Sequence, residues 1–150
     1  MRAFVAWLRS RYVDDIAPIE RYFGGEVYEQ ELAELPGKYA PPAGSLLIAY
    51  ALGKPAGCVA LQDIGPGIRE MKRMFVDTQC RGIGVGRALA DQAIADARAS
   101  NSHLIRLVTG KRQHEAIRLY ERCGFRRVAP YYDITDQQLK DWLIYFELNI

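Results

Sequence analysis

The sequence predicts a mixed α/β fold in which one sheet carries helices on both faces. Three observations predict it. Apolar residues recur at helical spacing near the N-terminus and over positions 84–99, but alternate at strand spacing over 68–76. The runs succeed one another in the order αα-βββ-α-β-α-ββ, with crossover helices after the third and fourth strands. The length of 150 residues, with 49% hydrophobic and 25% charged residues, suits one globular domain.

The first helix is expected over 2–13, where Phe4, Val5, Leu8 and Tyr12 share a stripe. A second runs over 26–35 until Pro36-Gly37 stops it, and Pro18, Gly24 and Gly25 predict a loop between the two. Residues 38–45, with Pro41, Pro42 and Gly44, lead into strands at 46–52 and 56–61, joined by a hairpin turn at Gly53-Lys54-Pro55. Gly65-Pro66-Gly67 opens the third strand, 68–76, which places Glu70, Lys72, Met74 and Val76 on one face and Met71, Arg73 and Phe75 on the other. The period then changes to a helix carrying Val85, Leu89, Ala93 and Ala97 on one stripe, followed by a strand at 103–109. A helix over 113–122 closes at Gly124, and strands are expected at 125–129 and 142–148, the latter with Trp142, Ile144, Phe146 and Leu148 on one face.

Several function classes fall away on composition. Twenty Lys+Arg against eighteen Asp+Glu leave a net charge of +2, too little for the dense basic face of a nucleic-acid binder. Three cysteines without C-x-x-C spacing and two histidines support neither a disulfide framework nor a metal site, which predicts a reduced, cytoplasmic setting. The apolar run at 4–8 is shorter than a signal-peptide core, and no run approaches the roughly eighteen apolar residues of a membrane span.

The segment after the third strand carries the chemistry. Gln79-Cys80-Arg81-Gly82-Ile83-Gly84-Val85-Gly86-Arg87 joins that strand to the long helix. Glycines permit close backbone approach, and the unpaired N–H groups of a first helical turn face an anion, with Arg81 and Arg87 adding charge. By itself the cluster also suits a plain strand-to-helix turn. A dinucleotide G-x-G-x-x-G would need glycine at 87, where Arg87 stands, and the P-loop pattern is absent.

Gln79-x-x-Gly82-x-Gly84 resembles the pyrophosphate-binding motif Q/R-x-x-G-x-G/A of the GNAT superfamily of acyl-CoA-dependent N-acetyltransferases. Ala116-Ile117-Arg118-Leu119-Tyr120-Glu121-Arg122-Cys123-Gly124-Phe125 is similar to that family's A-x-x-L-Y-x-x-x-G-F, and Glu70-Met71-Lys72-Arg73-Met74-Phe75-Val76 to the E-x-K-R-L-Y-V strand of many bacterial members. The resemblance covers residues 46–130 well and the ends poorly. It implies a mostly antiparallel sheet whose central strands, 68–76 and 103–109, splay apart to admit acetyl-CoA. Backbone groups of Met74, Phe75 and Val76 would pair with the pantetheine arm, and N–H groups of Gly82, Ile83, Gly84, Val85, Gly86 and Arg87 would hold the pyrophosphate. Gln113 stands where the family often has Asn, and its longer side chain still donates and accepts. Members usually begin with a strand before the first helix, so here that edge strand is either missing or replaced.

Acetyl transfer needs a neutral amine, a donor for the oxyanion and an acid for the leaving thiolate. Tyr120 shares a helical stripe with Gln113 and Ala116, and a phenol with a pKa of about 10 stays protonated where a thiol of roughly 8.5 leaves. It also reads as a core tyrosine. Glu70 is the candidate base, with Met74 N–H the oxyanion donor, although Glu70 reads equally as a surface carboxylate paired with Lys72 or Arg73. His114 reads as a solvated helix-end residue, and Cys80 and Cys123 as space-fillers.

Within one domain over 1–150, residues 1–45 would supply the substrate side, 46–130 the acyl-CoA-binding core and 131–150 a C-terminal strand region. Glu20, Glu26, Glu29, Glu31 and Glu34 make the N-terminal segment acidic, which favours a cationic amine, though it also suits a solvated face. The leading expectation is an N-acetyltransferase acting on a small-molecule or peptide amine, as a monomer or homodimer, without metal, nucleic acid or membrane. The alternative is a non-catalytic acyl-CoA-binding regulatory module, and a nucleotide-binding domain of another fold stands third.

Overall fold

The computed structural model describes residues 2–150. Three helices come first: α1 (Arg2–Arg11), α2 (Ile16–Phe23) and α3 (Glu26–Ala33). Then follow β1 (Gly44–Ala51), β2 (Lys54–Gly65), β3 (Ile68–Val76), α4 (Val85–Ala99), β4 (Leu104–Gly110), α5 (His114–Arg122), β5 (Arg126–Val128), α6 (Gln137–Trp142) and β6 (Leu143–Asn149). The six strands form one sheet in the order β1-β2-β3-β4-β6-β5, antiparallel throughout except between β3 and β4. Among the described residues no strand lies outside β1, so the expected leading edge strand has no counterpart there.

Each sheet face buries its own core. On one side Leu89, Ala93 and Ala97 of α4 and Ile117 of α5 pack on Val59, Leu61, Met71, Ile105, Leu107 and Phe146. This is the stripe that the helical period of 84–99 requires. On the other, Phe4, Val5 and Leu8 of α1, with Ile19 and Phe23 of α2, pack on Trp142, Leu143 and Tyr145. No described helix is long and apolar enough to cross a membrane.

Four expectations need correction. The segment with Pro18 is helical, because Pro18 is the third residue of α2, within a first turn whose N–H groups need no intrahelical partner. The β1–β2 turn is Leu52-Gly53, both at positive φ (51° and 75°), and Lys54 and Pro55 already belong to β2. Trp142 ends α6 and packs with the α1–α2 core, so only Ile144 and Leu148 join Phe146 on the α4–α5 side of β6.

The fourth correction concerns β3. Cys58 pairs with Phe75 and Ala60 with Lys72, so Arg73 and Met74 both stand opposite Val59 in a β-bulge, with Arg73 at φ +56°. One extra residue reverses the alternation beyond it. Met71, Met74 and Val76 therefore face α4 and α5, while Arg73 and Phe75 meet the α1–α3 side.

Candidate active site

β3 and β4 are paired only from Ile68↔Leu104 to Met71↔Leu107. Beyond that point they diverge. Phe75 and Val76 remain paired to β2, and Val108, Thr109 and Gly110 to β6, so the two strand edges that face each other across the fork lack strand partners. Unpaired strand edges of this kind are ready hydrogen-bonding templates for an extended ligand.

A groove of about 410 Å³ opens on this fork. Met74, Phe75 and Val76 form one wall, Gln113 just before α5 and Ala116 within it another, and Gly82, Gly84, Gly86, Arg81 and Arg87 its far end. Asp77 caps the turn that leaves β3 by accepting from the Gln79 N–H at 2.9 Å. Gly82 (φ +79°) and Gly84 (φ +93°) hold left-handed conformations, and a Cβ at either would point into open space. The first α4 bond runs from Ala88 N to Gly84 O at 3.0 Å, which leaves the preceding amides of the turn available to an anion. Ile83, 67% exposed, and Val85, packed on the α4–α5 core, do not line the groove.

The two arginines are held differently. Arg81 donates to the Val76 carbonyl at 3.2 Å, and its guanidinium lies 4.2 Å from the Trp7 ring centroid. Arg87 pairs with Asp91 at 2.8 Å, but both side chains are half exposed, so the pair exchanges readily for another anion.

A second, narrower cavity of about 50 Å³ continues from the fork toward α2. Glu70, Tyr120, Lys72, Arg73, Tyr22, Phe23 and Trp142 are among its lining. Phe4, Met74 and Gln113 line both spaces, so the groove and the cavity meet at these residues.

Tyr120 combines both readings of the sequence. It packs edge-on to Phe125 at 6.0 Å and lines the narrow cavity, and burial pushes its phenol well above the ordinary tyrosine range. Glu70 is 1% exposed and so is no surface carboxylate. Gln62 Nε2 donates to its Oε2 at 2.8 Å and Lys72 Nζ to the same oxygen at 3.2 Å. Burial, with Glu70 nearby, raises the Tyr132 phenol. The bulge puts the Glu70 and Met74 side chains on opposite faces, yet both residues line the narrow cavity.

Three parts of the site had no local signal in the sequence: Phe4 and Trp7, brought in by α1, and Gln62, brought beside Glu70 by the β2–β3 register. Leu119 and Arg122 also line the groove, and their spacing from Ala116 on α5 does mark them. His114 opens α5 on the surface and lines neither space.

A sheet forked between its two parallel strands, with a glycine turn and helix N-terminus at the mouth of the fork, suits an extended ligand that ends in a phosphate. The family model for the acetyltransferase (GNAT) family matches residues 4–125, and the chain belongs to that family. An uncharacterized N-acetyltransferase of Schizosaccharomyces pombe is 37% identical over 106 residues, 69% of this chain and 65% of that relative's length. Among solved structures, an inferred acyl-CoA N-acyltransferase of Klebsiella pneumoniae superposes with a TM-score of 0.67 at 28% identity, covering 89% of this chain and 90% of that one. An inferred streptothricin acetyltransferase of Bacillus anthracis, solved with acetyl coenzyme A, gives a TM-score of 0.67 at 25% identity over 80% of this chain and 70% of that one.

Proposed function

We propose that this chain is a single domain over 1–150 that moves an acetyl group from acetyl-CoA to a primary amine of a small molecule or peptide, by direct transfer with both substrates bound. The observation that carries this reading is the junction at Phe4, Met74 and Gln113, where a cofactor-sized groove opens into a cavity lined by Glu70 and Tyr120. Acetyl-CoA in the structure of the Bacillus anthracis relative supports the choice of donor.

The glycine turn amides and Arg87 take the pyrophosphate, and the free edge of β3 takes the pantetheine arm. Glu70 accepts the proton that the amine must lose, directly or through water, because only the neutral amine carries a lone pair. Met74 N–H stabilises the oxyanion as the C–N bond forms. Tyr120 then donates its proton to the thiolate as the C–S bond breaks.

Calorimetry with coenzyme A, paired with thiol release from acetyl-CoA across a panel of amines, tests the reading. Binding together with amine-dependent release is expected. Binding without release for every amine would make the chain a regulatory acyl-CoA-binding module.

A further inference from the structure

The acidic N-terminal segment does not face the acceptor side of the fork. Glu20 is held by Arg9, Glu29 by Arg2, and Glu31 by Arg73 and Lys38, and none of the three lines the narrow cavity. The charged side chains that do line it are Glu70, Lys72 and Arg73. Arg73 is committed to Glu31 at 2.5 Å, which leaves Lys72 and Glu70 as an internal pair at 3.2 Å, with side chains 17% and 1% exposed.

We propose that the acceptor is a small zwitterion, an amine with a carboxylate close by, that replaces this internal pair by exchanging partners with it. The proposal rests on the acetyl-transfer reading. The amine seats at Glu70 and the carboxylate takes the Lys72 ammonium, so that no buried charge loses its counter-charge. Gln62 keeps its hydrogen bond to Glu70 throughout. A diamine, by contrast, brings a second positive charge beside Lys72 and Arg73. Tyr22, Phe23 and Trp142 complete the walls of a space of only about 50 Å³, which favours a small apolar substituent.

Thiol release is measured with small matched acceptors, glycine against methylamine and alanine against ethylamine, and with 1,4-diaminobutane. Wild-type kcat/KM is expected to favour each amino acid over its decarboxylated partner by roughly 10–100-fold, the worth of one charge-assisted hydrogen bond. Lys72→Met should bring that ratio close to one with coenzyme A affinity unchanged, and Lys72→Arg should restore it. Equal or better turnover of the decarboxylated amines or the diamine overturns the proposal, as does a Met variant that keeps the preference. If Lys72→Met does not fold, the wild-type ratio alone decides. Coenzyme A binding with no release from any amine overturns the acetyl-transfer reading, and this proposal with it.

Discussion

Arg73 of β3 donates from Nε to Glu31 of α3 at 2.5 Å, across 42 positions of sequence. The guanidinium also lies 5.5 Å from the Phe23 ring centroid and 5.0 Å from that of Tyr28. Arg73 stands at φ +56° in the bulge beside Met74, a conformation that costs a non-glycine residue about 1–2 kcal/mol. The N-terminal helices thus hold the strand at the point where the fork turns.

This contact predicts a pH dependence of stability. Burial alone would raise the Glu31 carboxyl, but hydrogen bonds from Arg73 and Lys38 outweigh it and bring the pKa down to about 2 from 4.5. A carboxyl depressed on folding stabilises the native state above its unfolded pKa and ceases to do so as pH falls through the folded one. Chemical denaturation of the wild type should therefore lose stability, on the order of 3 kcal/mol at most from this group, between about pH 4.5 and 2. Glu31→Gln should be less stable at neutral pH and show a smaller loss over that window. Equal losses in the two proteins would contradict the assignment.

Gly84 is expected to be required for coenzyme A, and a side chain at its positive φ also costs about 1–2 kcal/mol of stability. Gly84→Val places a branched side chain at φ +93°, in the open space at the mouth of the groove. Coenzyme A affinity by calorimetry should fall on the order of tenfold or more, with the circular dichroism spectrum retained, since each tenfold needs only about 1.4 kcal/mol. Unchanged affinity in a folded variant would move the pyrophosphate site elsewhere.

Glu70→Gln keeps the shape and a hydrogen-bonding partner for Gln62 while removing the base. Turnover should fall on the order of 10²-fold or more, with coenzyme A affinity unchanged. Wild-type turnover in a folded variant would leave Glu70 only its structural pairing with Lys72.

Much of this was legible in the sequence because it is local. The glycine turn sits directly between a strand and a helix whose apolar stripe has a clear period, and Gly82, Gly84, Gly86 and Arg87 of that turn line the groove. Tyr120 of α5 lines the narrow cavity and Ala116 the groove, while Gln113, just before α5, lines both. What was hidden depends on tertiary context. The bulge at Arg73 carries no glycine to announce it, and it exists because aromatic rings and Glu31 from other elements hold the side chain. α2 reads as a loop because Pro18 marks a break everywhere except in a first turn. The acidity of the N-terminal helices suited either a cationic acceptor or a solvated face, and the structure pairs Glu20, Glu29 and Glu31 with arginine and lysine.

Single-turnover kinetics of Tyr120→Phe test the central claim most directly. The variant keeps the ring that packs on Phe125 and removes only the hydroxyl at the fork. With a confirmed acceptor, the rate of acetyl transfer should fall roughly 10²–10⁴-fold, while coenzyme A affinity and melting temperature change little. A wild-type rate for the chemical step would contradict the account, leaving Tyr120 as core packing and the thiolate to take its proton from elsewhere.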